Sequence, residues 1–379
     1  MRETRIALER CSIGNPHCVG IEMIQRLLLI GCLLMALVVG VEAQTQRQVD
    51  SLLNICRPLA QTDIKTAEAK LLAFKQQYFG FPAELYIAQL YDAADRKGTE
   101  YRAEVAHAYD QMSMSLMSRG DMELYILSLF YSGRNDACVA KAREALTYYP
   151  QSLPLNRFFF RSLVSQGRYR ESLTAYENLT HAQPAVLEHS DSVHYSVALT
   201  GWVRYLYQQG KFEEAAQWME PFAQQRRQHG QMTDDVTMQL ANIYIEWAKK
   251  LEGAEKEQML LKADAILAQR IPETTMNDDL FAYMRVQMVQ FQLDPEASKG
   301  TALPAILQME EVFKKKADLD ERHKERLVTG YRYLMSYYFI EKEDYALAAQ
   351  YADKILLYEP NNDGALQVRD LYRKVKNKG

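Results

Sequence analysis

Glycine and proline are scarce in this chain, at 17 and 11 of its 379 residues. No stretch shows the apolar–polar alternation of a half-buried strand, and residues that favour helices dominate. The formal net charge is only −4, from 45 basic and 49 acidic residues, and no basic stripe is present. These absences exclude a β-rich fold and disfavour nucleic acid as a partner. They predict an all-α chain.

Catalytic and metal-binding motifs are also missing. The sequence has no His-Glu-x-x-His, no nucleophile elbow, no phosphate-binding loop and no paired Cys-x-x-Cys. We therefore predict no enzyme activity, no catalytic residue, no bound metal and no cofactor. Beyond the N-terminal apolar region only Cys56 and Cys138 remain, 82 positions apart. In a stack of helices that separation is too long for a disulfide, so we expect two free thiols.

An uncharged run of 15 residues, Leu27–Val41, follows Arg26 near the N-terminus. It leads into Val41-Glu42-Ala43, which has the small-x-small form of a signal-peptidase site. The run is shorter than the about 20 apolar residues that span a membrane. We predict a signal peptide at residues 23–43, after a non-native upstream extension at residues 1–22.

The predicted signal peptide directs the chain to the periplasm, the cell envelope or the extracellular space, with no transmembrane span after its removal. An alternative arises from Leu29-Ile30-Gly31-Cys32, which resembles a lipoprotein cleavage box. Because few apolar residues precede Cys32, lipid anchoring at this residue is the less favoured interpretation.

Apolar positions recur every 34 residues in the middle of the chain. The recurring positions are Cys138, Ala142, Ala145 and Pro150, and then Ser172, Tyr176, Leu179 and Pro184. The clearest unit predicts a first helix at Asn156–Ser165, a turn at Gln166-Gly167-Arg168 and a second helix at Tyr169–His181. Glycine tolerates the positive φ of such a turn, and proline bars continuation of the helix. This period is typical of stacked helix–turn–helix units.

These segments resemble the tetratricopeptide repeat family, whose signature places aromatic, small and leucine residues at fixed positions in two helices before a closing proline. Four units carry the resemblance: Phe159, Leu163, Ser172, Tyr176 and Pro184; Trp202, Leu206, Gly210, Phe212, Ala215 and Met219; Met335, Ser336, Phe339, Tyr345, Ala348 and Pro360; and, more weakly, Tyr125, Leu129, Cys138, Ala142 and Pro150. The resemblance implies a right-handed α-solenoid that binds other proteins.

The rest of the chain has helical periodicity but only degenerate repeat chemistry. We predict divergent helical repeats at 44–120 and 230–320, tetratricopeptide-like repeats at 121–229, a C-terminal unit at 321–362 and a capping helix at 363–379. Ser172 and Ala215 are 43 positions apart, so nine extra residues enter between units. We predict that they form a surface loop at Leu187–Tyr195. Four residues of the capping helix are expected to face inward: Leu366, Val368, Leu371 and Val375.

The resemblance places the binding surface on a stripe of each first helix. The hypothetical partner-binding residues on that stripe are Tyr131, Arg157, Arg161, Arg204, Tyr207, Tyr333 and Tyr337. Arg157 and Arg161 share one helix face. Arg161 and Arg204 hold equivalent places in consecutive units, which predicts guanidinium groups about 10 Å apart. Guanidinium groups bind carboxylates through paired hydrogen bonds, so the expected ligand is an acidic peptide or a free C-terminus.

The same arginines also fit ordinary solvated helix positions. Two functions are therefore open. One is a secreted, non-enzymatic scaffold that binds a protein or peptide in the concave groove. The other is a glycan-binding helical envelope lipoprotein of the nutrient-uptake type, which the 24 tyrosines also suit. The poor cleavage box and the presence of only three tryptophans favour the first. The sequence gives no sign of oligomeric state.

Overall fold

The computed structural model describes residues 46–182 and 187–376. The predicted signal peptide, its upstream extension and Cys32 lie outside these residues. Every regular element of the described chain is helical and none is a strand, which confirms the all-α prediction. In the same residues, no helix combines the length and the apolar character that crossing a membrane requires.

The described residues divide into two compact units: residues 46–166, 175–182 and 187, and residues 167–174 and 188–376. The first unit is a series of helices, and consecutive helices from α2 to α7 pack against each other. Its helices are α1 (46–60), α2 (Ile64–Gln77), α3 (Ala83–Ala94), α4 (Arg102–Asp110), α5 (Arg119–Tyr131), α6 (Asn135–Tyr148), α7 (Leu153–Ser165) and the second half of α8 (Tyr169–Ala182).

Helix α5 packs against α6 and also against α7. A first helix that contacts both its own second helix and the next first helix is what stacked helix–turn–helix units require, because one pair alone cannot bury its apolar face. Cys138 on α6 is fully buried at the predicted small packing position. Cys138 and Cys56 are both free thiols, as expected.

The clearest predicted unit is confirmed, with α8 beginning at Tyr169 as expected. Gly167 in the turn has a φ of +69°, a conformation that glycine adopts without strain. Helix α7 begins three residues earlier than predicted. The reason is a cap: the Ser152 hydroxyl accepts a hydrogen bond from the Leu155 amide, and Pro154 lies in the first turn.

The second unit continues the same arrangement, and consecutive helices from α9 to α17 pack against each other. These helices are α9 (His189–Gln208), α10 (Phe212–Gln228), α11 (Asp234–Ala248), α12 (Gly253–Arg270), α13 (Asp278–Met288), α14 (Leu303–Lys314), α15 (Glu321–Ser336), α16 (Tyr345–Tyr358) and α17 (Asp363–Lys376). The residues of the predicted divergent repeats at 230–320 and of the C-terminal unit at 321–362 are thus largely helical, and their division into repeats stays a prediction.

The predicted surface loop at Leu187–Tyr195 is wrong. Helix α9 begins at His189 and runs for 20 residues, so the extra residues lengthen a helix. A capping box starts it: the Glu188 side chain accepts from the Asp191 backbone, and the Asp191 side chain accepts from the Glu188 backbone at 3.0 Å. The polar residues that suggested a loop therefore form the N-terminal cap of this helix.

Helix α17 begins at the predicted residue Asp363 and runs to Lys376, but two of its four expected inward residues face solvent. Leu371 is 46% exposed and Val375 is 53% exposed. Only Ala365 on this helix is fully buried. The packed face is thus narrower than the sequence suggested, and an apolar strip remains on the outside.

A buried carboxylate organises the connection between α13 and α14. Asp294 is 2% exposed and follows a π-helical turn, Val289–Leu293. It accepts hydrogen bonds from the backbone amides of Ser298 at 2.9 Å, Lys299 at 3.1 Å and Thr301 at 3.1 Å. The Tyr333 hydroxyl of α15 also donates to it. One side chain therefore satisfies the backbone of a whole loop.

Replacing Ala348 with Leu is expected to lower the free energy of unfolding by about 1–3 kcal/mol, because Ala348 is fully buried where α15 and α16 pack together. Stability in stacked repeats is close to nearest-neighbour, so the loss of protection should concentrate after Lys316. Hydrogen exchange measures this directly. A uniform loss of protection from α2 to α16 would contradict the repeat interpretation.

Candidate functional site

The seven predicted contact residues separate into two groups by exposure. Tyr131 and Arg204 are exposed, and Arg157 and Tyr207 are half-buried. Arg161, Tyr333 and Tyr337 are buried, with exposed fractions of 6%, 4% and 8%. The expectation that all seven line an open surface is therefore wrong for the last three. For the other four, the binding role stays a prediction.

Arg161 is held inside the first unit rather than presented to a ligand. Its guanidinium carbon lies 5.8 Å from the centre of the Phe158 ring. Arg161 and Arg204 also belong to different compact units, so their predicted 10 Å separation stays a prediction. A periodic pattern places an arginine on a helix face, but the residues packed against that face decide whether water reaches it.

Tyr333 and Tyr337 support the Asp294 loop instead of lining a groove. The Tyr333 hydroxyl donates to Asp294 and accepts from the Ala302 amide at 3.2 Å. The Tyr337 ring lies against Gly300, where an added Cβ atom would stand 2.4 Å from the ring. Their polar and apolar surfaces are therefore already used within the second unit.

Arg204 and Tyr207 lie on α9, which faces α11 of the second unit. They form one wall of a groove of about 200 Å³, whose other wall is α11. The residues lining this inter-helix groove are Val203, Arg204, Tyr207, Gln239, Asn242 and Ile243. Burial raises the pKa of the Tyr207 hydroxyl, with a smaller contribution from the charge of Glu246. Tyr207 is thus a neutral hydrogen-bonding group at physiological pH.

A second and larger cavity also has Arg204 among its lining residues. It has a volume of about 410 Å³ and is formed by the start of α8 and the second half of α9. We name it the aromatic–arginine cleft; its lining residues are Gly167, Arg168, Tyr169, Arg170, Glu171, Gly201, Trp202, Arg204, Tyr205 and Gln208. Since Arg204 lines both cavities, they share one guanidinium group.

An aromatic platform forms part of the cleft. The rings of Trp202 and Tyr205 are stacked, with centroids 5.2 Å apart and planes 16° from parallel. Tyr205 is 48% exposed, so one face of the stack is open to solvent. The guanidinium carbon of Arg170 lies 5.8 Å from the Trp202 ring and 5.2 Å from the Trp218 ring. Cation–π contacts of this kind hold a charge in place without neutralising it.

The charges in the cleft are unbalanced. Glu171 is its one carboxylate among the lining residues, and Arg168 binds it at 2.7 Å. Arg170 and Arg204 are exposed, and neither has a carboxylate partner within the described residues. The cleft therefore keeps two positive charges that no carboxylate of the described residues neutralises.

Two buried polar atoms at the cavities also have no partner within the described residues: the indole nitrogen of Trp202 and the side-chain oxygen of Gln239. The first is a donor and belongs to the aromatic–arginine cleft, and the second is an acceptor and belongs to the inter-helix groove. An unsatisfied buried polar group costs about 1–3 kcal/mol, so such groups point to a ligand or an ordered water.

The floor of the cleft depends on Gly201, in the middle of α9. The Tyr169 ring lies directly on its backbone, and an added Cβ would stand 2.5 Å from that ring. Helix interiors disfavour glycine relative to alanine by about 1 kcal/mol, so its presence here needs a local reason. The close approach of Tyr169 provides it.

Replacing Gly201 with Ala should therefore displace the Tyr169 ring and reshape the cleft. The gain in helix propensity offsets the packing loss, so we expect a stability change within about 1 kcal/mol. Trp202 lies beside the displaced ring, and its fluorescence emission should shift. Unchanged emission in Gly201→Ala, with parental stability, would show that the ring does not form the floor in solution. Gly120→Ala, where the nearest atom is 3.9 Å away, is the control.

The sequence did not identify four residues of this cleft as functional: Tyr169, Arg170, Trp202 and Tyr205. Trp202 was assigned only to the repeat signature. One usable signal was Gly201 itself, since a glycine inside a helical pattern often marks a close approach. Elsewhere in the described chain, no group of three or more His, Cys, Asp or Glu residues is placed to hold a metal ion.

Comparisons with known proteins identify only structural likenesses. No family model and no curated protein matches the sequence. The C-terminal part of a TPR repeat-containing protein from Cytophaga hutchinsonii is 15% identical, covering 83% of this chain and 98% of its own, with a TM-score of 0.27. A tetratricopeptide repeat protein from Parabacteroides merdae is 13% identical, covering 81% and 98%, with a TM-score of 0.29. The P58(IPK) TPR domain is 12% identical, covering 87% and 99%, with a TM-score of 0.26.

Proposed function

We propose that this tetratricopeptide-type helical repeat chain is a non-catalytic binding protein that takes an acidic segment of another protein in the aromatic–arginine cleft. The observation that carries the proposal is the pair Arg170 and Arg204. Both residues are exposed, both line the cleft that contains the Trp202–Tyr205 stack, and neither is neutralised by a carboxylate of the described chain.

The expected negative charge of the ligand follows from the absence, among the described residues, of a carboxylate that pairs with Arg170 or Arg204. Guanidinium groups bind carboxylates through two parallel hydrogen bonds, and these bonds strengthen where aromatic rings exclude water. Glu171 does not compete, since Arg168 already binds it. An aspartate or glutamate side chain of the ligand would satisfy each free arginine.

The polymer class follows from the neutral groups. A peptide backbone alternates hydrogen-bond acceptors and donors, and it can pair with both the Trp202 indole nitrogen and the Gln239 side-chain oxygen. The residues that carry these two atoms line the two cavities that have Arg204 in common. Tyrosine and tryptophan supply rigid contact area at low entropic cost, as in many protein interfaces. An extended acidic segment fits this set of groups.

A glycan is the second candidate, and the Trp202–Tyr205 stack is the observation that favours it. An open, flat aromatic face of this kind can stack against the apolar face of a sugar ring. A neutral glycan leaves Arg170 and Arg204 without counter-charges, which is why the peptide ranks first. The two candidates differ in their response to salt, because only the charged ligand is attracted over the screening length of about 8–10 Å.

The deciding experiment uses the tryptophans as reporters, since two of the three in the chain lie beside Arg170. The mature chain is titrated with short Asp/Glu-rich peptides containing one aromatic residue, with matched Asn/Gln peptides, and with neutral oligosaccharides. We expect saturable quenching by the acidic peptides alone, weakening as salt rises. Equal response to the Asn/Gln peptides, or response only to oligosaccharides, would overturn the acidic-peptide proposal.

Export is a further part of the proposal, supported by the uncharged run Leu27–Val41 and the boundary at Ala43. Cleavage there gives a mature chain that starts at Gln44 and carries no lipid. The intact mass of the exported chain tests this. A diacylglycerol-modified Cys32 at the N-terminus would contradict it and favour the lipoprotein alternative.

A further inference from the structure

We infer that a further cavity of the second unit, which shares no lining residue with the aromatic–arginine cleft, binds a short peptide by both of its free ends. The cavity has a volume of about 520 Å³, which is within the range of ligand pockets. It is lined by residues of α10, α11 and α12. Two of those on α10, Glu220 and Arg227, carry opposite charges, and we name it the Glu220–Arg227 cavity.

Only one oxygen of the Glu220 carboxylate has a partner within the described residues. Its Oε1 atom accepts a hydrogen bond from the Tyr244 hydroxyl of α11 and lies 3.3 Å from the Lys262 ammonium of α12. Its Oε2 atom has no partner there. A carboxylate has about four acceptor positions on its two oxygens, so Glu220 can accept a further ammonium group.

A second glutamate of the same unit shows this arrangement with both oxygens occupied. Glu310 of α14 pairs with Lys354 of α16, which lies 2.8 and 3.0 Å from its two oxygens. Lys314, four residues after Glu310, adds another ammonium at 3.1 Å. The residue four positions after Glu220 is Gln224, and the Glu220 side chain is 43% exposed, against 8% for Glu310. The cavity thus lacks a cation that its counterpart has, and a ligand ammonium can supply it.

Arg227 provides a positive charge two turns further along α10. It is exposed, and it has no carboxylate partner within the described residues. Seven positions separate it from Glu220, which corresponds to about 10.5 Å along the helix at 1.5 Å per residue. An extended peptide spans about 3.3–3.6 Å per residue, so about three residues place an amino terminus at Glu220 and a carboxylate at Arg227. A guanidinium group binds such a carboxylate through two hydrogen bonds.

Three glutamines of the cavity suit the middle of such a peptide: Gln224 and Gln228 of α10, and Gln269 of α12. All three are exposed, and their side chains make no hydrogen bond within the described residues. A carboxamide offers donors and an acceptor, as a peptide unit does, so the two can pair. A sugar acid would satisfy Arg227 but would bring no ammonium to Glu220. The ligand class is therefore a short peptide with free ends.

Isothermal titration calorimetry of the mature chain with trialanine tests the inference. We expect saturable binding with a dissociation constant of about 0.1–1 mM, as suits a few charged hydrogen bonds at the edge of solvent. Acetylation of the amino terminus and amidation of the carboxyl terminus should each weaken binding about tenfold, because each leaves one charge of the cavity unpaired. Equal binding of the blocked peptides, or no binding of trialanine, would overturn the inference.

Variants of the two charged residues assign each end of the peptide. Arg227→Gln should weaken trialanine binding about tenfold and remove the preference for a free over an amidated carboxyl terminus. Glu220→Gln should remove the preference for a free over an acetylated amino terminus. Arg322→Gln, at an exposed arginine of α15, is the matched control and should bind like the parent. Thermal melting checks the fold, and an Arg227→Gln chain that keeps its preference for the free carboxyl terminus would contradict the assigned site.

A last variant separates this cavity from the aromatic–arginine cleft. Arg170→Glu/Arg204→Glu alters only the cleft, so it should bind trialanine like the parent whether or not the cleft binds acidic segments. Loss of trialanine binding in this variant would place the peptide in the cleft and overturn the inference.

Discussion

Asp294→Ala is expected to lower the free energy of unfolding of the second unit by about 2–4 kcal/mol. The carboxylate accepts from three backbone amides of its loop and from the Tyr333 hydroxyl, all at a site that is 2% exposed. Alanine leaves these donors without their acceptor and opens a gap beneath Tyr333. Urea unfolding followed by circular dichroism measures the loss. Asp353→Ala, at an exposed position of α16, should change stability by less than about 0.5 kcal/mol.

The contribution of Asp294 to the free energy of unfolding should decrease at low pH. Burial alone would raise the pKa of this carboxyl, but hydrogen bonds from Tyr333 and from the amides of Lys299, Thr301 and Ser298 outweigh burial and lower it. A carboxyl whose pKa is lower in the folded state contributes its full stabilisation above its unfolded pKa, about 3.9. That stabilisation is lost as pH falls through the folded value. The difference between the parent and Asp294→Ala should therefore shrink below about pH 4, and a constant difference would contradict the assigned hydrogen bonds.

The helices could be predicted from the sequence because their signals are local. Gly167 and the apolar period predicted the start of α8, and α17 begins at the predicted residue. The error at Leu187–Tyr195 was also local. Glu188 and Asp191 form a capping box in which a glutamate takes the N-cap position, where it is unusual. Because the neighbouring residues are also polar, the segment was predicted to be a loop.

The candidate site could be predicted only in part, because its chemistry depends on contacts between distant positions. The sequence selected Arg204 and Tyr207, which line an inter-helix groove, and their binding role stays a prediction. It could not show that Tyr333 is used by Asp294, 39 residues earlier. Nor could it show that the Tyr169 ring rests on Gly201 and so opens the cleft beside Arg204. Periodicity predicts which residues share one face of a helix. Which residues contact that face depends on the packing of segments that are distant in the sequence.

Reversing both Arg170 and Arg204 to Glu is expected to weaken acidic-peptide binding by about 100-fold or more. Each arginine loses a charge-assisted pair, and each glutamate adds repulsion at the same site. Both side chains are exposed, so the fold should tolerate the change; the loss of the Arg170 contacts with Trp202 and Trp218 costs about 1 kcal/mol. Tryptophan quenching measures binding, and thermal melting measures the fold.

Two sets of controls separate local chemistry from net charge. Arg57→Glu/Arg96→Glu changes the net charge equally at two exposed positions of the first unit, and it should bind like the parent. Arg170→Lys/Arg204→Lys keeps the charge but loses the planar fork, so its affinity should lie between the parent and the reversed variant. If the reversed variant binds acidic peptides as tightly as the parent, with the same salt dependence, then the two arginines are solvated helix residues and the ligand binds elsewhere. If both reversed pairs weaken binding equally, attraction acts through total charge, and the aromatic–arginine cleft is not its site.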